Sequence, residues 1–395
     1  MRPFEGIKII DATHVLAGPF ASYQLALLGA EVIKVENPEE MDQVRESGSD
    51  EDLNAMGMGT YYLTQASNKR SITLNLKTEE GRDLLKKLVS TADVFVENFR
   101  AGSLATLGLG FDDLVKLNDR LIYCSLTAFG QGGPRESHTG YDMQIQASSG
   151  LMSSTGTPEV NPIKVGPPVV DYASGTMAAF AIASALFQRE KTSKAQFIDQ
   201  AMFDVALMLM SADITNYTWS GHAPKPLGND YPSAGGRCYQ TEDGLLMMGA
   251  MNRAQHKRLF DLIGEQQIAA ETDYVTRFRE GDSQAEILAD LLKSKSAEAW
   301  ETYFQDHHIP ATKVRTLPEA LDDPQLAHRN LTHNFPNFNG SDKGLTVPLA
   351  AFNYLHGGPS VETPPATMGQ HTNEVLREFG VSDEELAQLR KDGVV

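Results

Sequence analysis

Apolar positions along this chain follow two spacings. Short runs that are apolar on both faces have the length and composition of strands buried in a parallel sheet. They are Ile7-Lys8-Ile9-Ile10-Asp11, Glu31 to Val35, Asp93-Val94-Phe95-Val96-Glu97, Leu121 to Leu126 and Gln196-Phe197-Ile198-Asp199. Ile72-Thr73-Leu74-Asn75-Leu76 alternates strictly, as a strand with one buried face does. Between these runs the spacing becomes helical over residues 19–28, opened by Gly18-Pro19 and stopped by Gly29, and over 78–90, Tyr141 to Met152, the Ala-rich 174–187 with its extension to Glu190, and the Met-rich 200–217. Methionine at helical spacing reads as core packing. The order strand, loop, helix, strand over residues 7–36 is a unit of the nucleotide-binding kind, and it sets the fold class as α/β with a Rossmann-like large domain. Its first loop, His14-Val15-Leu16-Ala17-Gly18-Pro19, lacks the G-x-G-x-x-G fingerprint, which excludes a dinucleotide.

The pattern changes near residue 219. Residues 219–240 are rich in Gly, Pro and polar groups. A strand pair follows around the turn Glu242-Asp243-Gly244, with short helices at 253–263, 283–293 and 297–305 and a strand at 311–315. The expected organisation is a large domain from 1–218, a smaller α+β domain with its linkers from 219–315, and a return segment, 316–395, that completes the large domain and ends in an amphipathic helix at 382–391. The polar, acidic stretch 37–66 is expected to be a surface excursion.

Charge and composition narrow the function. Against 34 Lys and Arg stand 52 Asp and Glu, a formal net charge of −18, which argues against nucleic acid or an anionic membrane as partner. No secretory signal pattern and no run of about 18 apolar residues is present, so a cytoplasmic location is expected. Cys124 and Cys238 form neither a disulfide framework nor a zinc site, and His307-His308 lacks metal-site companions.

Candidate chemistry lies at the predicted strand ends, where open α/β sheets bind ligands. Lys69-Arg70 are adjacent cations suited to phosphate, although alone they fit a solvated turn. Asn98-Phe99-Arg100 follow one strand, and the glycine-rich loop Phe129-Gly130-Gln131-Gly132-Gly133-Pro134 follows another. The run Gly166-Pro167-Pro168-Val169-Val170-Asp171-Tyr172-Ala173-Ser174-Gly175 delivers Asp171 to the start of the Ala-rich helix. There the helix dipole favours an ionised carboxylate, and an N-cap is the commonest role.

Several of these stretches together resemble one family, the class III CoA-transferases, with formyl-CoA transferase, carnitine CoA-transferase and the α-methylacyl-CoA racemases among its members. The resemblance is carried by Gly6-Ile7-Lys8 to Pro19, Gly29 to Glu36, Asn68-Lys69-Arg70-Ser71 with Leu74-Asn75, Val96-Glu97-Asn98-Phe99-Arg100 and Phe129-Gly130-Gln131. It continues through Gly140-Tyr141-Asp142 with Gln146-Ala147 and Ser149-Gly150, to Gly369-Gln370-His371-Thr372-Asn373-Glu374-Val375-Leu376, in the family's order across nearly the whole chain. It implies two copies interlocked as a homodimer. It matches Asp171 to the family's nucleophile, and His14, Ala17, Asn98, Phe99, Arg100, Tyr141 and Asp142 to the CoA channel, with Lys69 and Arg70 as further candidates for the CoA phosphates. Gly235 and Gly236 match a loop over the active site that is longer in formyl-CoA transferase, and Leu16 replaces a glutamine of that subgroup. Both departures tell against formyl-CoA and oxalate.

The implied reaction is CoA transfer from an acyl-CoA thioester to a carboxylic acid, through a mixed anhydride and an aspartyl-CoA thioester on Asp171, with no permanently bound cofactor and no metal. Two alternatives remain: an acyl-CoA racemase or isomerase, against which Tyr141 stands where that subgroup has a histidine, and a CoA-binding protein without catalysis. Arg237, with His222 in the same loop region, is expected to face the substrate and to offer a guanidinium to a second carboxylate, which points to a small dicarboxylate such as succinate.

Overall fold

A computed structural model describes residues 1–271, 273–340 and 342–395. They form two compact units, one of residues 1–152, 164–222 and 327–395, the other of residues 153–163 and 223–326.

The first unit is built on a six-stranded parallel sheet. Its strands are β1 (Lys8–Ala12), β2 (Glu31–Glu36), β3 (Lys69–Thr73), β4 (Val94–Glu97), β5 (Ile122–Thr127) and β6 (Gln196–Ala201), in the order β3-β2-β1-β4-β5-β6. The order reverses between β1 and β4, so the loops after those two strands diverge and leave a crevice at their carboxyl ends. One face packs Ile10, Ile33, Ile72, Phe95 and Tyr123 under α2 (Glu79–Val89). The other packs Ile9, Val32, Val94, Val96 and Cys124 under α1 (Ala17–Leu27) and α4 (Val169–Thr192). This is why the strand runs are apolar at successive positions.

The helices follow the sequence signals with instructive shifts. α2 starts where Thr78 accepts the Gly81 N–H, with Glu79 and Glu80 in its first turn and Lys86 and Lys87 in its last, charges that suit the helix dipole. α3 (Asp142–Ser149) stops at Gly150, whose φ of 93° ends it short of Met152. α4 begins directly after the Pro pair, five residues earlier than its Ala-rich stretch indicates, so Asp171 lies inside its first turn. With 24 residues, α4 is the one helix among those described that is long and apolar enough to cross a membrane, which the expectation of no such stretch missed; here its inner face packs on α1. The Met-rich helix is broken at Met210 into α5 (Met202–Leu209) and α6 (Ser211–Ser220).

The stretch 37–66 is not a surface excursion. Val44, Met58, Tyr62 and Leu63 form a satellite core, and Arg45, fully buried, makes a two-pronged ion pair with Glu36 at 2.7 Å for each arm. Residues 327–395 complete this unit by covering the outer edge of β3. The N–H of His371 donates to the Ser71 carbonyl, the N–H of Ser71 donates to His371 Nδ1, and the N–H of Thr73 donates to Thr372 Oγ1. An edge strand that would otherwise stand open is thereby satisfied.

The second unit has an antiparallel sheet of β7 (Cys238–Gln240), β8 (Leu245–Met248) and β9 (Ala311–Lys313). Its core is Tyr239, Leu246, Phe260, Leu288, Trp300 and Phe304, supplied in part by α7 (Arg253–Leu262), α8 (Gly281–Leu292) and α9 (Ala297–Asp306).

Candidate active site

His14 and Ala17 follow the carboxyl end of β1, and Asn98, Phe99 and Arg100 that of β4, whereas Lys69 and Arg70 open β3. Asp171 is half-buried in the first turn of α4. The donors that this helix start offers are taken by a second carboxylate: Asp142 Oδ2 accepts the N–H of Val170 at 2.7 Å and of Asp171 at 3.2 Å. Asp142 is itself 7% exposed. Its Oδ1 accepts from Gln146 Nε2, and Gln146 Oε1 accepts the Val165 N–H, so the loop entering α4 is tied to α3. Burial, and then the charge of Asp142, push the Asp171 carboxyl up to about 7. This reverses the expectation that the helix start would favour its ionised form, because the helix N–H groups serve Asp142 instead.

Gly175, one turn along α4, seats this helix on α1. A Cβ there would lie 2.6 Å from the Ala17 carbonyl oxygen and 3.0 Å from Phe20, and Tyr172 meets Phe20 edge-on at 4.9 Å. The first turns of α1, with Ala17, and of α4, with Asp171, are thereby brought together by one helix crossing. The His14 ring packs edge-on against Phe99 at 5.5 Å, and burial lowers its pKa, so the imidazole is neutral at neutral pH. Asn98 holds the His14 backbone from both sides, which spends its amide on the turn and makes it a support of the channel candidates. Arg100 is exposed and makes no ion pair among the described residues, and Tyr141 is 53% exposed.

Lys69 and Arg70 have partners within the protein. Lys69 is buried beneath α1, where its Nζ pairs with Asp11 at 3.1 Å and donates to the Pro19 carbonyl and Ser22 Oγ at 2.8 Å each. Burial lowers it to about 8, while Asp11, despite its own burial, is held near 2 by Lys69 and Lys34. Arg70 is shared among Glu31, Glu374 and Glu378. Both cations are therefore paired with carboxylates of the protein itself.

In the second unit, Gly235 and Gly236 pack closely on the 249–251 segment. A Cβ on Gly235 would meet the Ala250 carbonyl at 2.5 Å, and Ala250 donates its N–H to the Gly235 carbonyl at 2.7 Å. Arg237 is likewise committed: Nε donates to the Tyr231 carbonyl at 2.7 Å, and Nη2 to the Pro232 carbonyl and to Asp282. These bonds, made by Nε and Nη2, hold its own loop.

Two groups escaped the sequence reading. Glu97, 3% exposed at the end of β4, accepts the Phe99 N–H at 2.8 Å, and burial raises it to about 7 against the opposing hydrogen bond from Ser125. Ser125 Oγ in turn accepts from Gln131 Nε2, which links this carboxyl to the glycine-rich loop. Asp42, in the stretch taken for surface, accepts the Val15 N–H with both oxygens. Strand-end position was the available signal for Glu97; for Asp42 there was none. Among the described residues no cluster of three or more His, Cys, Asp or Glu is arranged to hold a metal.

Residues 4–372 match the profile of CoA-transferase family III. The chain belongs to this family. It is 36% identical to succinate–glutarate CoA-transferase of Agrobacterium fabrum over 391 residues, covering 95% of this chain and 96% of that protein. It is 33% identical to human succinyl-CoA:glutarate CoA-transferase over 401 residues, covering 100% of this chain and 90% of that protein. Among solved structures it resembles a CaiB/BaiF family protein from Brucella suis, with a TM-score of 0.81 and 30% identity over 96% of this chain and 99% of that one. For a family III transferase whose substrates are a CoA thioester and a carboxylic acid, the crevice after β1 and β4 is the natural site.

Proposed function

We propose that this transferase moves CoA from an acyl-CoA thioester to a dicarboxylic acid of the succinate and glutarate size, with Asp171 as the nucleophile. The observation that carries the reading is the Asp171 carboxyl, half-buried at the crevice and raised to about 7 by burial and by Asp142. A desolvated, more basic carboxylate is a stronger nucleophile than a solvated one, and at neutral pH a large share of it is ionised. The relatives named for succinyl, succinate and glutarate substrates support the acid class.

In this reading an Asp171 oxygen attacks the thioester carbonyl, the C–S bond breaks, and CoA leaves as thiolate, giving an acyl-aspartyl anhydride. The thiolate attacks the aspartyl carbonyl and expels the first acid as its carboxylate, leaving CoA as a thioester on Asp171. The acceptor carboxylate attacks that thioester and releases the thiolate, which takes the acceptor's acyl group and frees Asp171. No net proton is consumed, and the thioester bond is exchanged without hydrolysis provided water is kept from the anhydride. His14 is neutral and packed on Phe99, and Arg100, next in the chain after Phe99, is exposed and makes no ion pair among the described residues, so these two, with Ala17 and Tyr141, are the candidates to meet CoA.

The test is to incubate the protein with succinyl-CoA and digest it for mass spectrometry. An adduct on Asp171 that disappears when glutarate is added is expected, and Asp171→Ala should exchange no label. Exchange at the parental rate in that variant would sink the reading.

We further propose a homodimer. Phe180 and Phe187, each 65% exposed on the outer face of α4, and Trp219, 92% exposed, form apolar surface that a single copy leaves open. A monomer by light scattering at micromolar concentration would refute it.

A further inference from the structure

The turn after β1 is held by side chains from five separate positions. The Thr13 N–H donates to Asp11 Oδ1 at 2.9 Å, and Lys34 Nζ donates to the Thr13 carbonyl at 2.8 Å. Asn98 brackets His14, accepting its N–H at 2.9 Å and donating to its carbonyl at 2.8 Å. The Val15 N–H lies 3.1 Å from each oxygen of Asp42, and Gln65 Nε2 donates to the Val15 carbonyl at 2.7 Å. Every backbone N–H and C=O of these three residues therefore has a side-chain partner.

What this arrangement holds is unfavourable in itself. Val15 has a φ of +67°, a region that a β-branched residue strongly resists; the other non-glycine residues with positive φ among those described are Asn, Ser or His. Strain of this kind persists only where the surroundings over-determine the backbone. Four of the five partners are dry: Asp11, Lys34, Asp42 and Gln65 are at most 8% exposed, so water cannot replace a bond lost from one of these without rearrangement. Lys34 also stands 3.5 Å from Asp42, which fixes that carboxylate toward Val15.

We infer that Asp42, with Gln65, is a positioning residue for the CoA site, holding Val15 in its left-handed conformation and so setting the His14 ring and the start of α1 at Ala17 before substrate arrives. This rests on the reading above that His14 and Ala17 meet CoA. Preformed geometry of this kind removes an ordering cost from binding.

The test is a cycle of Asp42→Asn and Val15→Gly. Glycine adopts positive φ freely, so a glycine at this position has no need of the clamp. Asp42→Asn should weaken CoA binding, measured by calorimetry, about tenfold, and the double variant should recover most of that loss. Hydrogen exchange in peptides covering residues 13–16, measured without ligand, should quicken in Asp42→Asn. Gln65→Met, which cuts the bond to the Val15 carbonyl without changing charge, should act in the same direction and serves if Asp42→Asn does not fold. Losses that add in the double variant, or exchange unchanged in Asp42→Asn and Gln65→Met, would overturn the inference. If the parent itself fails to bind CoA, the CoA-site reading falls, while the clamp is still judged by ligand-free exchange.

Discussion

Asp142 Oδ2 stands 3.2 Å from the backbone nitrogen of Asp171, so the second carboxylate of this site occupies the helix start that the first would otherwise enjoy. Asp142 gains two backbone donors and Gln146; Asp171 gains a neighbouring negative charge. The division of roles follows from geometry, one carboxylate structural and hydrogen-bonded, the other raised and available.

Neutralising Asp142 should therefore tune Asp171. Burial is the first cause of the raised Asp171 pKa and Asp142 the second, so Asp142→Asn removes only the second, and the pKa should fall below about 7 but stay above that of a solvated Asp. In the proposed reaction the ionised form attacks, so the acid limb of the acylation rate should move to lower pH. The variant should also lose about 1 kcal/mol of stability, since an amide caps the α4 start less well than a carboxylate. Single-turnover acylation across a pH series is the measurement, and an unmoved acid limb would show that the two charges do not communicate.

Asp171 itself should cost stability where it is ionised. Its folded pKa is raised from 3.8 to about 7, so between those values the native state holds a proton that the unfolded chain has released. Stability from this group is full below the unfolded pKa and is lost as pH rises through the folded one. Asp171→Asn cannot ionise. At about pH 8 it should be more stable than the parent by about 1–2 kcal/mol, a figure reduced from the full shift because the group is partly solvated, and near pH 3, below the unfolded pKa, the two should be about equal. Urea unfolding at both pH values decides the matter; a parent at least as stable at the higher pH would contradict the raised pKa.

The two cations Lys69 and Arg70 show where the chain alone stops being readable. Hydrophobic spacing exposes the strand runs, because burial on both faces is written at neighbouring positions such as Ile9 and Ile10. A charge pair is visible as charge, but its partners lie far along the chain: Asp11 is 58 residues from Lys69, and Glu374 and Glu378 are 304 and 308 residues from Arg70. Arg237 is paired in the same way, with Asp282 of α8, 45 residues on. Asp171 was found by resemblance, whereas its raised pKa needs the position of Asp142, 29 residues away, and the depth of its burial.

Lys69→Met should accordingly act on folding. It leaves Asp11 buried with Thr13, Ser22 and a more distant Lys34 but without its direct ion-pair partner, and breaking a buried pair in this way costs about 3–5 kcal/mol. If the protein still folds, CoA affinity should keep the parental dependence on salt, because no phosphate contact is lost. A nearly unchanged unfolding midpoint with a shallower salt dependence of CoA binding would restore the phosphate role.

Gly175 tests whether the seating of α4 on α1 sets the proposed nucleophile, Asp171. Replacing a helical glycine by alanine ordinarily stabilises by about 1 kcal/mol. Here the added Cβ would come within 2.6 Å of the Ala17 carbonyl oxygen and 3.0 Å of Phe20, and a backbone carbonyl at a helix start cannot swing aside as a flexible side chain can. α4 must move off α1, carrying Asp171, one turn away, with it. Overpacking of this kind costs about 1–3 kcal/mol, so Gly175→Ala should be neutral to modestly destabilised overall. A displacement near 1 Å at a reacting group is expected to slow acylation by about 10–100-fold, a loss larger than the stability change would suggest. Thr176→Ala, at the exposed neighbouring position of the same helix turn, is the control and should leave both quantities close to the parent. Acylation at the parental rate in a destabilised Gly175→Ala would show that the helix crossing serves the core alone and that Asp171 is placed by α3 and the Asp142 cap.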